Sequence, residues 1–182
     1  MLKKETRILG LSAIGKKRLK PIVGAIFRGS LWLDAIMTCL PTDSSQEVPT
    51  LTSVLRKSKQ YSQIHAAIFS REDVLEGGIQ DYRRLSQLVK FPVFAIAKKP
   101  RKTLQSRELV IIKREGTRIP LWINDYDPER AAELYSLACA DGHSTPEAVR
   151  VAELVAYCSK YPESGSVDLF RLKYEEDVCH VN

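Results

Sequence analysis

The chain has 182 residues, of which 44% are hydrophobic and 27% charged, with a formal net charge of +6. That balance suits a domain with its own core and excludes disordered or collagen-like chains. No apolar run approaches the roughly 20 residues of a membrane helix, and Met1-Leu2-Lys3-Lys4-Glu5 leads into a strand-like segment rather than a signal-peptide core, so no membrane contact and a cytoplasmic location are expected.

Periodicity gives the elements in chain order. Thr6 to Ile14, Pro21 to Phe27 and Leu31 to Leu40 read as three strands joined by short turns, the second being Arg28-Gly29-Ser30, which suits a hairpin and predicts an antiparallel meander. Pro49 fits the first turn of a helix reaching about Tyr61, with Leu51, Val54 and Leu55 on one face. Ile64 to Phe69 is a continuous apolar strand, the pattern of a sheet covered on both faces. After the Gly77-Gly78 breaker, Gln80 to Val89 predicts a second helix with Tyr82, Leu85 and Leu88 on one face, and Pro92 to Ala97 a further buried strand. Two more strands are expected at Glu108 to Lys113 and Arg118 to Ile123. Asp127-Pro128-Glu129 and Thr145-Pro146-Glu147 then start two helices, each with a capping side chain, a proline and a carboxylate near the positive end of the helix dipole. Residues 1–162 are expected to form one domain. The tail from 163 to 182 contains an alternating stretch, Ser166 to Leu172, suited to adding a strand or docking on a protein partner.

Charge is divided along the chain. Residues 1–120 hold 23 Lys and Arg against 10 Asp and Glu, net +13, whereas residues 121–182 hold 5 against 12, net −7. A basic body of this kind suits nucleic acid, and the acidic end would repel it or fold back on the basic face. The alternative is a solvated charged surface. Cations cluster at Lys16-Lys17-Arg18-Leu19-Lys20, at Arg56-Lys57-Ser58-Lys59 and at Lys98-Lys99-Pro100-Arg101-Lys102. The middle cluster ends a helix, where dipole complementarity already explains it; the other two have no such explanation.

Cys39, Cys139, Cys158 and Cys179 lack paired spacing, which argues against a disulfide framework. Cys139 with His143, and Cys179 with His180, offer two zinc ligands each where three or four must converge, so no metal is assigned to them. His65 sits on the central strand and reads as a core histidine, so neither Ser12 nor Ser70 has an evident base to activate it as a nucleophile.

Several segments, in this order and spacing, carry a resemblance: Arg7-Ile8-Leu9-Gly10; Phe27-Arg28-Gly29 with Trp32-Leu33-Asp34; Ser58 to Gln63; Asp81 with Arg84-Leu85-Ser86; Phe91-Pro92-Val93; and Pro146 to Ala152. Over about residues 6 to 160 the chain resembles the archaeal family of uncharacterised proteins related to endonuclease V. The resemblance implies a ribonuclease H-like mixed sheet, an antiparallel three-strand meander joined to parallel strands and flanked by helices. In the related enzymes, strand-end carboxylates hold divalent metal that cuts nucleic acid.

Magnesium needs hard, charged oxygen ligands, because phosphodiester cleavage builds negative charge that the ions must offset. Where the family pattern has an acidic pair after the first strand, this chain has Ser12-Ala13; where it has an aspartate ending the central strand, this chain has Ser70. Its glycine-rich stretch with an asparagine has become Leu75-Glu76-Gly77-Gly78-Ile79. Asp34 and Asp81 remain at matching positions, with Asp43 as a further acid.

Three functional readings follow. The first is a catalytically inactive protein that binds DNA or RNA through Arg28, Lys98, Lys99, Arg101 and Lys102, with Lys16 and Lys17, and needs no cofactor. In the second, the scaffold is a regulatory subunit that meets a protein partner through its tail. The third is a weak endonuclease in which Asp34, Asp81 and Asp43 hold Mg²⁺.

Overall fold

The computed structural model describes residues 5–14, 20–98 and 108–160. The meander is present as expected: β1 (Arg7–Ala13), β2 (Ile22–Arg28) and β3 (Trp32–Cys39) pair antiparallel in sequence. Gly29, at φ +57°, allows the tight reversal between β2 and β3. Helix α1 (Glu47–Lys57) follows, shorter than its pattern because the chain turns at Ser58 into a 3₁₀ turn at Tyr61–Gln63.

Strand β4 (Ile64–Phe69) returns parallel to β1, α2 (Ile79–Leu88) crosses over, and β5 (Val93–Ile96) lies parallel to β4. Next come β6 (Leu109–Arg114) and β7 (Thr117–Trp122), an antiparallel pair in which β7 joins β5, and then α3 (Pro128–Leu137) and α4 (Glu147–Lys160). The sheet has seven strands in the order β3-β2-β1-β4-β5-β7-β6. Asp127 caps α3 as its sequence indicates, its carboxylate accepting the Arg130 amide at 2.7 Å.

Both faces of the sheet are covered, which explains the continuous apolar runs of β1 and β4. On one face Leu9, Leu11, Phe69 and Trp122 pack with Leu51, Leu55, Tyr82 and Leu85 of α1 and α2. On the other, Ile8, Ala25, Phe27 and Ile68 pack with Leu134 and Tyr135 of α3 and with Ala148, Val149 and Ala152 of α4. Gly10 lets α4 lie directly on β1, because a Cβ there would sit 2.1 Å from the carbonyl carbon of Ala148.

Two apolar assignments change. Leu88 is 37% exposed, since it ends α2 beyond the sheet. His65 is exposed rather than in the core: it is the second residue of β4, at the irregularity where β1 and β4 come into register. Cys39 and Cys139 are buried, and burial pushes their thiols up to about 11 and about 12; Cys158 is exposed. Cys179, His180 and the stretch from Ser166 to Leu172 lie outside the described residues. Among the described residues no helix is long and apolar enough to cross a membrane.

Candidate functional site

Because β1 and β4 are parallel neighbours, with Leu11 opposite Phe69, their C-terminal ends emerge side by side on one edge of the sheet. Ser12 and Ser70 meet there. The Ser70 amide donates to the Leu11 carbonyl at 2.8 Å, and its hydroxyl donates to the Ser12 hydroxyl at 2.9 Å. Both side chains are buried, and Ala13 beside them is fully buried. Two neutral hydroxyls thus satisfy each other where the sequence comparison expects carboxylates.

Cations surround this pair. Arg71 follows Ser70 directly and donates from Nη2 to the Ala13 carbonyl at 3.0 Å. Its backbone carbonyl accepts the hydroxyl of buried Tyr82 at 2.8 Å, which fixes the turn that presents it. Arg71 Nε lies 3.2 Å from Asp73 Oδ1 yet makes no hydrogen bond. Lys20, just before β2, donates from Nζ to the Asp73 carbonyl at 2.6 Å, and Lys98, just after β5, lies 3.4 Å from Asp73 Oδ2. Burial pushes the Asp73 carboxyl up, but the charges of Arg71 and Lys98 outweigh it and hold the group below its ordinary value. Arg71 and Lys98 thus meet the Asp73 carboxylate, and Lys20 meets its backbone carbonyl.

A further acid stands behind this edge. Glu47, in the first turn of α1, is fully buried; its Oε2 accepts the Glu76 amide at 2.7 Å, while Oε1 has no hydrogen-bond partner. Burial raises its carboxyl above the ordinary value, and Asp81 and Glu76 add to that, against the opposing pull of the Glu76 amide and Lys20. Neither Glu47 nor Arg71 stands out in the sequence. The first reads as an ordinary first-turn carboxylate near Pro49, and the second is an isolated arginine whose only signal is its place after a strand-ending serine.

The residues named from the sequence fall into separate places. Asp34 is at the opposite end of the sheet, where Oδ2 accepts Arg7 Nε at 2.7 Å and Oδ1 accepts Arg28 Nε at 2.8 Å. Arg7 lies five residues before Ser12 on β1, a separation of roughly 17 Å at strand spacing. Arg28 is therefore committed to Asp34 and does not share an edge with Lys98. Asp81 is on the serine side, in the first turn of α2, where Oδ2 accepts the Gly77 amide at 2.9 Å. Asp43 is exposed and caps the 3₁₀ turn Ser44–Gln46; hydrogen bonds from Ser45 and the Gln46 amide hold its carboxyl below the ordinary value.

Lys16, Lys17, Lys99, Arg101 and Lys102 lie outside the described residues, in segments whose flanks, Ile14 with Lys20 and Lys98 with Glu108, are described. The Arg56 cluster ends α1 before β4 begins, on the edge away from the serines.

Ser12, Ser70 and Asp34 do not together make a magnesium site, and the carboxylates on the serine side are Asp73, Asp81 and Glu47. The two hydroxyls at the strand ends carry no charge and are spent on each other, Asp34 is remote and neutralised by two guanidinium groups, and the space beside the serines is held by cations. Among the described residues, no group of three or more His, Cys, Asp or Glu side chains is arranged to hold a metal.

No family model matches the chain. It is 31% identical over 100 residues to a UPF0215 protein of Methanosarcina barkeri, a match covering 52% of this chain and 50% of that protein, so the chain spans about half the length of the curated relative it matches. Its fold resembles a protein of unknown function from Archaeoglobus fulgidus, with TM-score 0.67 and 20% identity over 84% of this chain and 97% of the other. It also resembles endonuclease V of Ciona intestinalis, solved with a 24mer DNA containing an inosine followed by a ribo-adenosine, with TM-score 0.58 and 11% identity over 86% of each chain. The chain therefore has an endonuclease V-like, ribonuclease H-like fold and an uncharacterised archaeal relative.

Proposed function

We propose that this endonuclease V-like chain binds nucleic acid along the serine edge of its sheet and does not cut it. The observation that carries the proposal is the Ser12–Ser70 hydroxyl pair, buried at the adjoining ends of β1 and β4 and flanked by Lys20, Arg71 and Lys98. A cutting site requires anionic ligands to retain metal, whereas a holding site requires cations and donors for phosphate oxygens. Arg71 keeps 37% of its side chain exposed on this edge. In the sequence, Lys16 and Lys17 follow Ile14, and Lys99, Arg101 and Lys102 follow Lys98, and the proposal counts these cations among the phosphate contacts. The endonuclease V of similar fold was solved on DNA, which makes a nucleic-acid ligand the natural choice for this scaffold.

Fluorescence anisotropy tests this with labelled single-stranded, duplex and branched DNA and RNA, in chelator, over a salt series. Submicromolar binding is expected, with log K falling by about 0.9 per phosphate neutralised on duplex DNA. Lys20→Ala and Lys98→Ala are each expected to flatten that slope by about one. Incubation with Mn²⁺ is expected to leave the nucleic acid intact. Binding no tighter than about 0.1 mM at moderate salt, the weak end of non-specific affinity, would sink the proposal.

A further inference from the structure

Strand β3 ends the sheet on one side, so among the described residues the backbone groups of its outer edge have no partner strand. Among the described residues seven large apolar side chains are exposed, and five of them, Leu31, Trp32, Leu33, Ile36 and Leu40, belong to this strand and its two flanks. Leu31, Leu40 and Trp32 are 76%, 69% and 65% exposed. A free edge of this kind is a template for pairing with another chain, and proteins ordinarily block it with lysine, proline or a covering segment.

The opposite edge has such protection: β6 carries Lys113 and Arg114, and Arg114 reaches the carbonyls of Ala140 and His143 in the turn before α4. β3 has neither lysine, arginine nor proline. Its one charge, Asp34, is turned inward to Arg7 and Arg28.

We infer that β3 is the interface of a two-fold dimer, in which the β3 strands of two copies pair antiparallel and extend the sheet. A second copy fits this edge on charge and on area. A strand whose single charge, Asp34, is already paired with Arg7 and Arg28 of its own chain meets its own copy without opposing like charges, whereas the tail segment 163–182 carries Glu163, Asp168, Arg171, Lys173, Glu175, Glu176 and Asp177 and has no counter-charges along β3 to meet. Five large side chains, each offering on the order of 100 Å², together with the edge of an eight-residue strand, approach the roughly 800 Å² per partner of a standard interface. With the axis at Ile36, that residue meets its own copy and Ala35 meets Met37, pairing side chains on the same face of the sheet.

The test uses the full chain. Sedimentation equilibrium at micromolar concentration is expected to give twice the 20.6 kDa of one chain, and Ile36→Lys to raise the dimer dissociation constant at least about tenfold. Facing residues in an antiparallel pair have Cα atoms about 4.5–5.5 Å apart, within disulfide reach. Ile36→Cys in a Cys158→Ser, Cys179→Ser background is therefore expected to form a disulfide-linked dimer on mild oxidation, and Lys113→Cys in the same background is not. Circular dichroism confirms that each variant folds, and the cysteine variant keeps the test decisive if Ile36→Lys does not. A chain that stays monomeric, with no crosslink through Ile36→Cys, overturns the inference. So does a monomeric full chain that dimerises only after removal of residues 163–182, which would identify the tail as the occupant of the edge.

Discussion

Ser70 and Ser12, 58 positions apart in the chain, form a hydrogen bond of 2.9 Å in a buried setting at the joined ends of β1 and β4. Each hydroxyl is the only hydrogen-bond partner described for the other's side chain, so their stabilities are coupled. Ser70→Ala leaves Ser12 unsatisfied and is expected to cost about 1–2 kcal/mol, the penalty of an orphaned buried polar group. The Ser12→Ala, Ser70→Ala double variant is expected to cost less than the sum of the singles by about 1 kcal/mol, because neither orphan remains. Urea unfolding of the four proteins measures the coupling; strict additivity would mean that water, rather than the partner serine, satisfies each hydroxyl.

Asp34 gives a prediction that separates framework from interface. Its carboxylate is largely buried and takes one guanidinium on each oxygen, tying the start of β1 and the end of β2 to β3. Asp34→Asn keeps the shape and removes the charge, leaving two arginines facing a neutral amide. The expected loss is about 1–3 kcal/mol, below that of a fully buried pair because Arg28 is 38% exposed. Nucleic-acid affinity is expected to stay within twofold, since the residue lies at the far end of the strands from the serine pair. A large loss of binding with unchanged melting temperature would place Asp34 in the interface instead.

The contrast between Asp34 and Ser12 shows what the sequence could convey. Apolar period and turn residues place β1 to β5 and both crossover helices in the right order, and Ser12 and Ser70 are identifiable because strand ends are among the few positions that a pattern of elements defines. Which end of the sheet a polar residue occupies is less accessible. Arg28 ends a strand and Lys98 follows one, yet β2 runs antiparallel to β1, which is parallel to β4 as β4 is to β5, so the two cations emerge on opposite edges. His65 and Leu88 sit in apolar patterns but fall where covering elements stop. Glu47 was invisible because its burial comes from the Glu76 loop folding over it, a contact across 29 positions.

Glu47 gives the pH dependence. Its carboxyl is raised above the ordinary 4.5, first by burial, so the folded chain holds this proton more tightly than the unfolded one. Stability from this group is complete below the unfolded value and is lost as pH rises through the folded value. Glu47→Gln keeps an oxygen for the Glu76 amide and removes the charge that must otherwise be buried. The variant is expected to exceed the parent by about 1 kcal/mol at pH 7 and to converge with it near pH 4. Thermal melts across that range check the sign. A variant less stable at pH 7 would show that the attraction of Lys20 outweighs the cost of burial.

Gly10 and Gly24 test how tightly the layers are pressed together. A Cβ at Gly10 would lie 2.1–2.3 Å from the carbonyl carbon and oxygen of Ala148 and the amide nitrogen of Val149, all of them backbone atoms that no rotamer change can move. Gly10→Ala must therefore lift α4 from β1, and about 3 kcal/mol or more is expected to be lost, at the upper end of overpacking costs. Adding Ala148→Gly is expected to restore none of it, because the obstruction is not the alanine side chain. At Gly24 the nearest atom is Met37 Cγ, at 2.8 Å, on a flexible side chain. Gly24→Ala is expected to cost about 1 kcal/mol, and pairing it with Met37→Ala to relieve the clash while adding a cavity cost of its own. If Gly10→Ala proved as mild as Gly24→Ala in urea unfolding, α4 would have to be free to slide on the sheet, and the covered face behind the serine pair would be far looser than its packing implies.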